Sequence, residues 1–214
     1  MQFNYIRDSA FGNNPTIFWN DSNEAISVDP CINVTPTAEF VKNNNLVIKA
    51  ILLTHGHLDH VIGCMELHSM FPEAPIYIHK DDEELYLDAL NQAKNFGFEV
   101  TGVLPKVTYF DETKQYTLLP GVTAEAIKCT GHTKGHLVYT IRENNVPTFL
   151  LTGDIILANN VPGKYEFSYD LVQHDAGIDA VKALDLPANV TVIPGHADLC
   201  TFADLKSCPY TPKN

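Results

Sequence analysis

Apolar positions in this chain fall into short runs, and the polar breaks between them mark where each run stops. In the first ~30 residues "TIFW" and "AISVD" read as short strands on either side of the turn-rich "NDSNE". Thr35 followed by Pro36 fits an N-cap and first helical position, with Asn43–Asn45 as the stop. Residues 47–53, "VIKAILL", predict a strand buried on both faces. From about His60 to Phe71, Val61, Cys64, Met65 and His68 recur at helical spacing, and Pro72 ends the run. "PIYIH" is a further strand. Asp81 and Asp82 then open a helix whose Leu85, Ala89, Leu90, Ala93 and Phe96 share one face, with Gly97 suited to its cap.

The second half runs mainly in strands: "QYTLL", "VTAEAIK", "HLVYTIR" and "PTFLLTG". A helix around 175–185, carrying Ile178, Val181 and Leu184, precedes a last strand, "VTVIP". Strands in both halves with helices interspersed predict an α+β chain of two sheets packed together and covered outside by helices. No Ser/Gly linker, short-period repeat or charge block divides the sequence, so residues 1–214 read as a single domain.

Composition narrows the partners. A chain of 214 residues with 45% hydrophobic content supports a real core. Lys and Arg number 14 against 26 Asp and Glu, a formal net charge of -12, which argues against a nucleic-acid backbone or an anionic membrane as the main partner. The five cysteines include no C-x-x-C pair and read as reduced thiols, although Cys200 and Cys208 could bridge. The opening "MQFNYIRDSAFGNN" is too polar for a signal peptide, and "TFLLTGDIILA" is too short to span a bilayer, with Asp154 in its middle. These features predict a soluble, cytoplasmic protein.

Candidate chemistry gathers at four places. "THGHLDH" at 54–60 follows "VIKAILL", "TGHTKGH" follows "AEAIKC", "TGD" at 152–154 follows "TFLL", and "PGHAD" follows "VTVI". All four sit at strand ends, where loops from neighbouring strands can converge. Imidazoles and carboxylates are the ligands that suit Zn²⁺ and related divalent ions. His55 and His57, two apart, can point the same way, while Asp59 and His60 at the start of the next helix can face a second position. That segment supplies material for two metal sites and completes neither; His132, Asp154 and His196 supply the rest. Of the other histidines, His136 reads as orienting its surroundings or capping a strand, and His68 as a core or edge residue. His79 and His174 have no nameable partners. Cys129 reads as packing.

In that order "THGHLDH", "GHTKGH", "TGD" and "PGHA" resemble the motifs of the metallo-β-lactamase superfamily, and "FGNNPTIFW" and "VDPC" resemble its opening strands. The resemblance implies an αβ/βα four-layer sandwich with a dinuclear site on one edge. Carried over, His55, His57 and His132 hold one metal, Asp59, His60 and His196 the other, and Asp154 bridges them. Two divalent ions are implied, zinc first, with iron or manganese as alternatives. Within the superfamily the motifs look most like glyoxalase II-like hydrolases, which cleave S-acyl thioesters of glutathione. "GKYE" at 163–166 is similar to a stretch in which Lys and an aromatic residue contact glutathione, here Lys164 and Tyr165.

The sequence departs from some relatives. The chain ends 18 residues after His196 (214 − 196), so a helical C-terminal domain of the glyoxalase II kind is not expected. No cysteine follows Asp154 closely, unlike the β-lactam-cleaving enzymes. The second His of the first motif has no acidic replacement, unlike the flavodiiron branch. There is no room for the arm with which tRNA-processing relatives grip RNA. The expected reaction is attack of a metal-activated hydroxide, oriented by Asp59, on a thioester or ester carbonyl. A thiolate leaves unaided because its conjugate acid has a pKa near ~8.5. Alternatives are a lactone or ester hydrolase of the same superfamily and a persulfide dioxygenase with one iron held by His55, His132 and Asp154. A non-catalytic, metal-stabilised interaction protein is a third.

Overall fold

Each half of the chain builds its own sheet, and the way the strands are connected decides where polar loops emerge. A computed structural model describes residues 1–157 and 168–207. The chain divides into two compact units, Met1–Phe110 and Asp111–Asn214.

The first unit holds a six-stranded mixed sheet in the order β1-β2-β3-β4-β5-β6. Its strands are β1 (Gln2–Tyr5), β2 (Thr16–Trp19), β3 (Glu24–Val28), β4 (Val47–Leu52), β5 (Ile76–Ile78) and β6 (Thr108–Tyr109). The first three pair antiparallel, and β3 to β6 pair parallel. Parallel neighbours need crossover connections, and helices provide them. α1 (Thr35–Asn43) joins β3 to β4. α2 (Leu58–Val61) and α3 (Cys64–Met70) join β4 to β5. A 3₁₀ turn (Lys80–Asp82) with α4 (Glu83–Leu87) and α5 (Ala89–Asn95) precedes β6. The core contains Ile17, Ile48, Ile51, Leu53, Val61, Leu67, Ile76, Ile78, Tyr86 and Ala93. In such sheets functional loops lie at the carboxyl ends of parallel strands. The loops after β3, β4 and β5 carry Asp29, His55 and His79.

The second unit holds a sheet in the order β12-β11-β10-β9-β8-β7. β7 (Tyr116–Leu119), β8 (Val122–Lys128), β9 (Leu137–Glu143) and β10 (Val146–Gly153) form an antiparallel meander. Asn144 and Asn145, both at positive φ, turn β9 into β10 as a two-residue hairpin demands. After α6 (Leu171–Lys182) comes β11 (Thr191–Pro194), parallel to β10. β12 (Cys200–Thr201) and α7 (Phe202–Ser207) follow. Cys129, Val138, Leu150, Ile155, Ile178, Val181, Val192 and Phe202 fill the core. No helix among the described residues is long and apolar enough to cross a membrane.

Several sequence expectations need correction. The helix expected from His60 to Phe71 is two helices, because Gly63 N–H bonds to the Pro30 carbonyl at 3.0 Å, across the chain rather than along a helix. The N-cap of α1 is Val34, with Thr35 already helical. Phe96, expected in the core, follows α5 and is 52% exposed, while Tyr86 of α4 is buried. β4 starts with Val47 and Lys49 exposed, so only its second half is buried on both faces. α6 begins at Leu171, where the Asp170 carboxylate accepts from Gln173 N–H at 3.0 Å, and Leu184 lies beyond its end. The strands β6 and β12 and the helix α7 carry too few apolar positions to show a period.

Candidate metal centre

In the first unit the motif starts where β4 ends. Asp29, at the end of β3, accepts from Thr54 N–H and from Thr54 Oγ1, both at 2.7 Å. Its Oδ2 also receives Nδ1–H of His60 at 3.1 Å. A carboxylate only accepts, so this contact puts the His60 proton on Nδ1 and leaves Nε2 as the nitrogen that could ligate a metal. Thr54 spends its one hydroxyl proton on Asp29, so its oxygen accepts from His55 Nδ1 at 3.0 Å. His55 is thereby also set to ligate through Nε2. Both imidazoles are fully buried, with ring centroids 4.1 Å apart, and the half-buried His57 ring lies 4.8 Å from that of His55.

The helices after β5 hold this loop from the other side. Asp82, 1% exposed, accepts from Gly56 N–H at 3.0 Å. A Cβ on Gly56 would stand 2.8 Å from Tyr86 N and 2.9 Å from the Asp82 carbonyl oxygen, so only glycine fits between the two histidines. Gln92 accepts from Leu58 N–H at 3.1 Å and donates to the Leu85 carbonyl at 2.8 Å. Buried Asn13 donates from Nδ2 to Asp59 Oδ2 at 3.0 Å, and the same amide stands 3.1 Å from His60 Nε2. Asp59 Oδ2 and His60 Nε2 are 3.6 Å apart.

In the second unit two imidazoles meet on one carboxylate oxygen. Asp154 Oδ2 lies 3.7 Å from His132 Nε2 and 3.3 Å from His196 Nε2, and all three residues are buried. The arrangement follows from the sheet. Asp154 directly follows β10, His196 follows its parallel neighbour β11, and Gly195 N–H bonds to the Gly153 carbonyl at 2.8 Å. His136 Nε2 accepts from Asp154 N–H at 3.1 Å, so its role is to hold the backbone on which the carboxylate sits. The expectation that it orients its surroundings holds.

His174 differs from expectation, since it has clear partners. Its Nε2 donates to the Ile155 carbonyl at 2.7 Å, and Nδ1 accepts from Ser168 Oγ at 2.8 Å. Its ring stands edge-on to His132 at 5.9 Å. Burial holds its pKa below the ordinary imidazole value, against the opposing effects of the Ile155 carbonyl and of Asp175 and Asp154. Gly131, at φ +139°, lets the His132 loop pass against the backbone of His174, where a Cβ would collide. Cys129 is packed in the core, and burial pushes its thiol up to about 12. His79 is likewise buried, with Nδ1 accepting from Asp81 N–H at 3.1 Å.

The structure therefore gathers His55, His57, Asp59 and His60 in one unit and His132, Asp154 and His196 in the other. Lys164 and Tyr165 lie outside the described residues. Sequence reading missed Asn13, Asp29, Asp82 and Gln92. Asp29 had a signal, an acid closing the apolar run of "AISVD". His174 had one too, four residues before Ile178 on the buried face of α6.

Residues 10–196 match the family model of the metallo-beta-lactamase superfamily. The hydroxyacylglutathione hydrolase GloC of Haemophilus influenzae is 28% identical over 209 residues, 96% of this chain and 95% of that protein. A hydroxyacylglutathione hydrolase of Prochlorococcus marinus is 28% identical over 83% of this chain, which spans only 62% of that protein's length. Among solved structures, TTHA1623 in a di-iron-bound form superposes with a TM-score of 0.78 at 22% identity, over 95% of this chain and 96% of the other, a likeness of fold. The His/Asp donor set is compatible with a dinuclear metal site. With a match running from 10 to 196, through every one of these donors, the chain belongs to the metallo-β-lactamase superfamily.

Proposed function

We propose that the protein is a dinuclear metal-dependent hydrolase of small S-acyl thioesters. In this reading His55, His57 and His132 hold one divalent ion, Asp59, His60 and His196 hold the second, and Asp154 bridges them. The observation that carries it is the Asp154 carboxylate, buried with one oxygen between two imidazole Nε2 atoms. The donor chemistry fits, because buried carboxylates and imidazoles with Nδ1 engaged by acceptors are what Zn²⁺ and its neighbours select. The family match runs through both compact units, which supports their action as one domain. The names of the relatives support a thioester substrate.

Bound ions of this kind supply Lewis acidity and bring the pKa of a shared water towards ~7. The chain's own part is positioning. Asp59, held by Asn13, accepts a hydrogen bond from the attacking nucleophile and aims it at the carbonyl. Asp29 fixes His60 directly and His55 through Thr54, so neither imidazole can rotate out of place. A thiolate leaves without a proton donor because its conjugate acid has a pKa near ~8.5. Metal analysis of protein purified without added metal, followed by kinetics on S-lactoylglutathione and a truncated thioester, tests this. Two divalent ions per chain and turnover of a thioester are expected. A single iron with oxygen uptake, or no thioester turnover by fully metallated protein, overturns it.

A further inference from the structure

A second feature of the His132 loop concerns what approaches it. Lys134 lies two residues beyond His132 and is exposed, while its neighbours from Cys129 to Ile141 are otherwise mostly buried. Its Nζ rests 5.3 Å from the centroid of the Tyr169 ring, and no carboxylate pairs with it among the described residues. Tyr169 is 61% exposed, yet its backbone is pinned to the loop: Tyr169 N–H donates to the His132 carbonyl at 3.1 Å. Asp170 N–H donates to the Gly131 carbonyl at 2.9 Å in the same way. Beyond it Leu171 and Val172 are 40% and 79% exposed.

The same unit offers a contrast. Lys206 lies over the Phe202 ring at the same 5.3 Å, but Phe202 is fully buried, so that pair covers core. At Lys134 both partners face solvent. An ammonium laid on an exposed aromatic face matches a ligand with an anionic group beside an apolar body. In a chain of net charge -12 such a ligand is repelled by most of the surface, and one unpaired cation beside the loop gives it a place to bind.

We infer that Lys134 and Tyr169 form a recognition site for the carboxylate of the substrate's thiol portion, beside the His132 loop. The inference rests on the proposed role of His132 in the active centre but not on turnover. Calorimetry on metal-loaded protein tests it with two non-hydrolysable thioethers, S-hexylglutathione and its neutral counterpart S-hexyl-N-acetylcysteamine. The wild type is expected to favour the anionic ligand, and added salt should erode that preference. Lys134→Gln should weaken the anionic ligand about tenfold, the scale of a charged hydrogen bond, and leave the neutral one within about twofold. Lys134→Arg should restore binding. Tyr169→Ala should weaken both ligands, and Lys206→Gln neither. Equal losses for the two ligands in Lys134→Gln, or unchanged binding of the anionic one, overturn the inference. Hydrolysis assays of the wild type judge the thioesterase reading separately.

Discussion

The two histidine-bearing loops are held by opposite means. In the first unit the supports are carboxylates and an amide from elsewhere in the chain: Asp29 under His60, Asp82 under Gly56, Asn13 beside Asp59. In the second unit they are neutral imidazoles and main-chain bonds: His136 under Asp154 N–H, His174 under the Ile155 carbonyl, Gly195 under Gly153. The difference has a chemical meaning. A carboxylate behind an imidazole raises its basicity and strengthens it as a ligand, whereas an imidazole behind a backbone group sets only geometry. The first loop is tuned, and the second is placed.

The largest expected effect comes from the shared acceptor of the second unit. Asp154→Ala should lower activity by about three orders of magnitude or more and strip metal, because in the proposed reading one carboxylate would serve two cations. His136→Ala, which loosens only the backbone beneath it, should cost about tenfold. Metal counts and thioester kinetics on both variants check this, and equal metal loss would erase the distinction between ligand and support. Next in size is Asp29→Asn. The new amide cannot accept from Thr54 N–H, the Thr54 hydroxyl and His60 together, so metal affinity should fall about 10–100-fold in competition with a chelator. A loss no greater than that of His136→Ala would contradict the idea that the first loop is tuned.

The smallest effect is on stability. The folded-state pKa of His174 is lowered, so the unfolded chain takes up the proton first as pH falls. Its contribution to stability is therefore fully present above the unfolded value of about 6.5 and is lost as pH drops through the folded value. Urea midpoints of metal-free protein between pH 7 and pH 5 should decline less steeply in His174→Gln than in the wild type. Parallel slopes would show that His174 does not stay neutral in the fold.

Much of this was legible beforehand because apolar runs and strand-end clusters are local signals. "VTAEAIK" alternates as a half-buried strand must, and β8 occupies those residues. His55, His132, Asp154 and His196 stand just beyond strand ends or in the loops that follow them, and Asp59 and His60 in the short helix after β4. The supports were not legible, because each works across a long stretch of sequence. Nothing near Gln92 or Asp82 marks them as partners of Leu58 and Gly56, and nothing near Asn13 marks it as a partner of Asp59. The exchange of Phe96 for Tyr86 in the core has the same origin. Both suit an apolar face, but the Tyr86 hydroxyl finds the Pro105 carbonyl at 2.9 Å, so the larger ring can be buried.

The parallel pairing of β10 with β11 has a consequence for how the chain folds. The meander from β7 to β10 links strands that follow one another along the chain, so its pairings close short loops and can form early. β11 reaches β10 only after α6 has been crossed, and that closure carries a larger entropic cost. Asp154 and His196 stand at the two ends of the long loop, on the strands that must meet last. An ion held by both, as proposed, would act as a clip on this late step, so metal should slow unfolding of the second unit by fastening the part of its sheet that assembles latest.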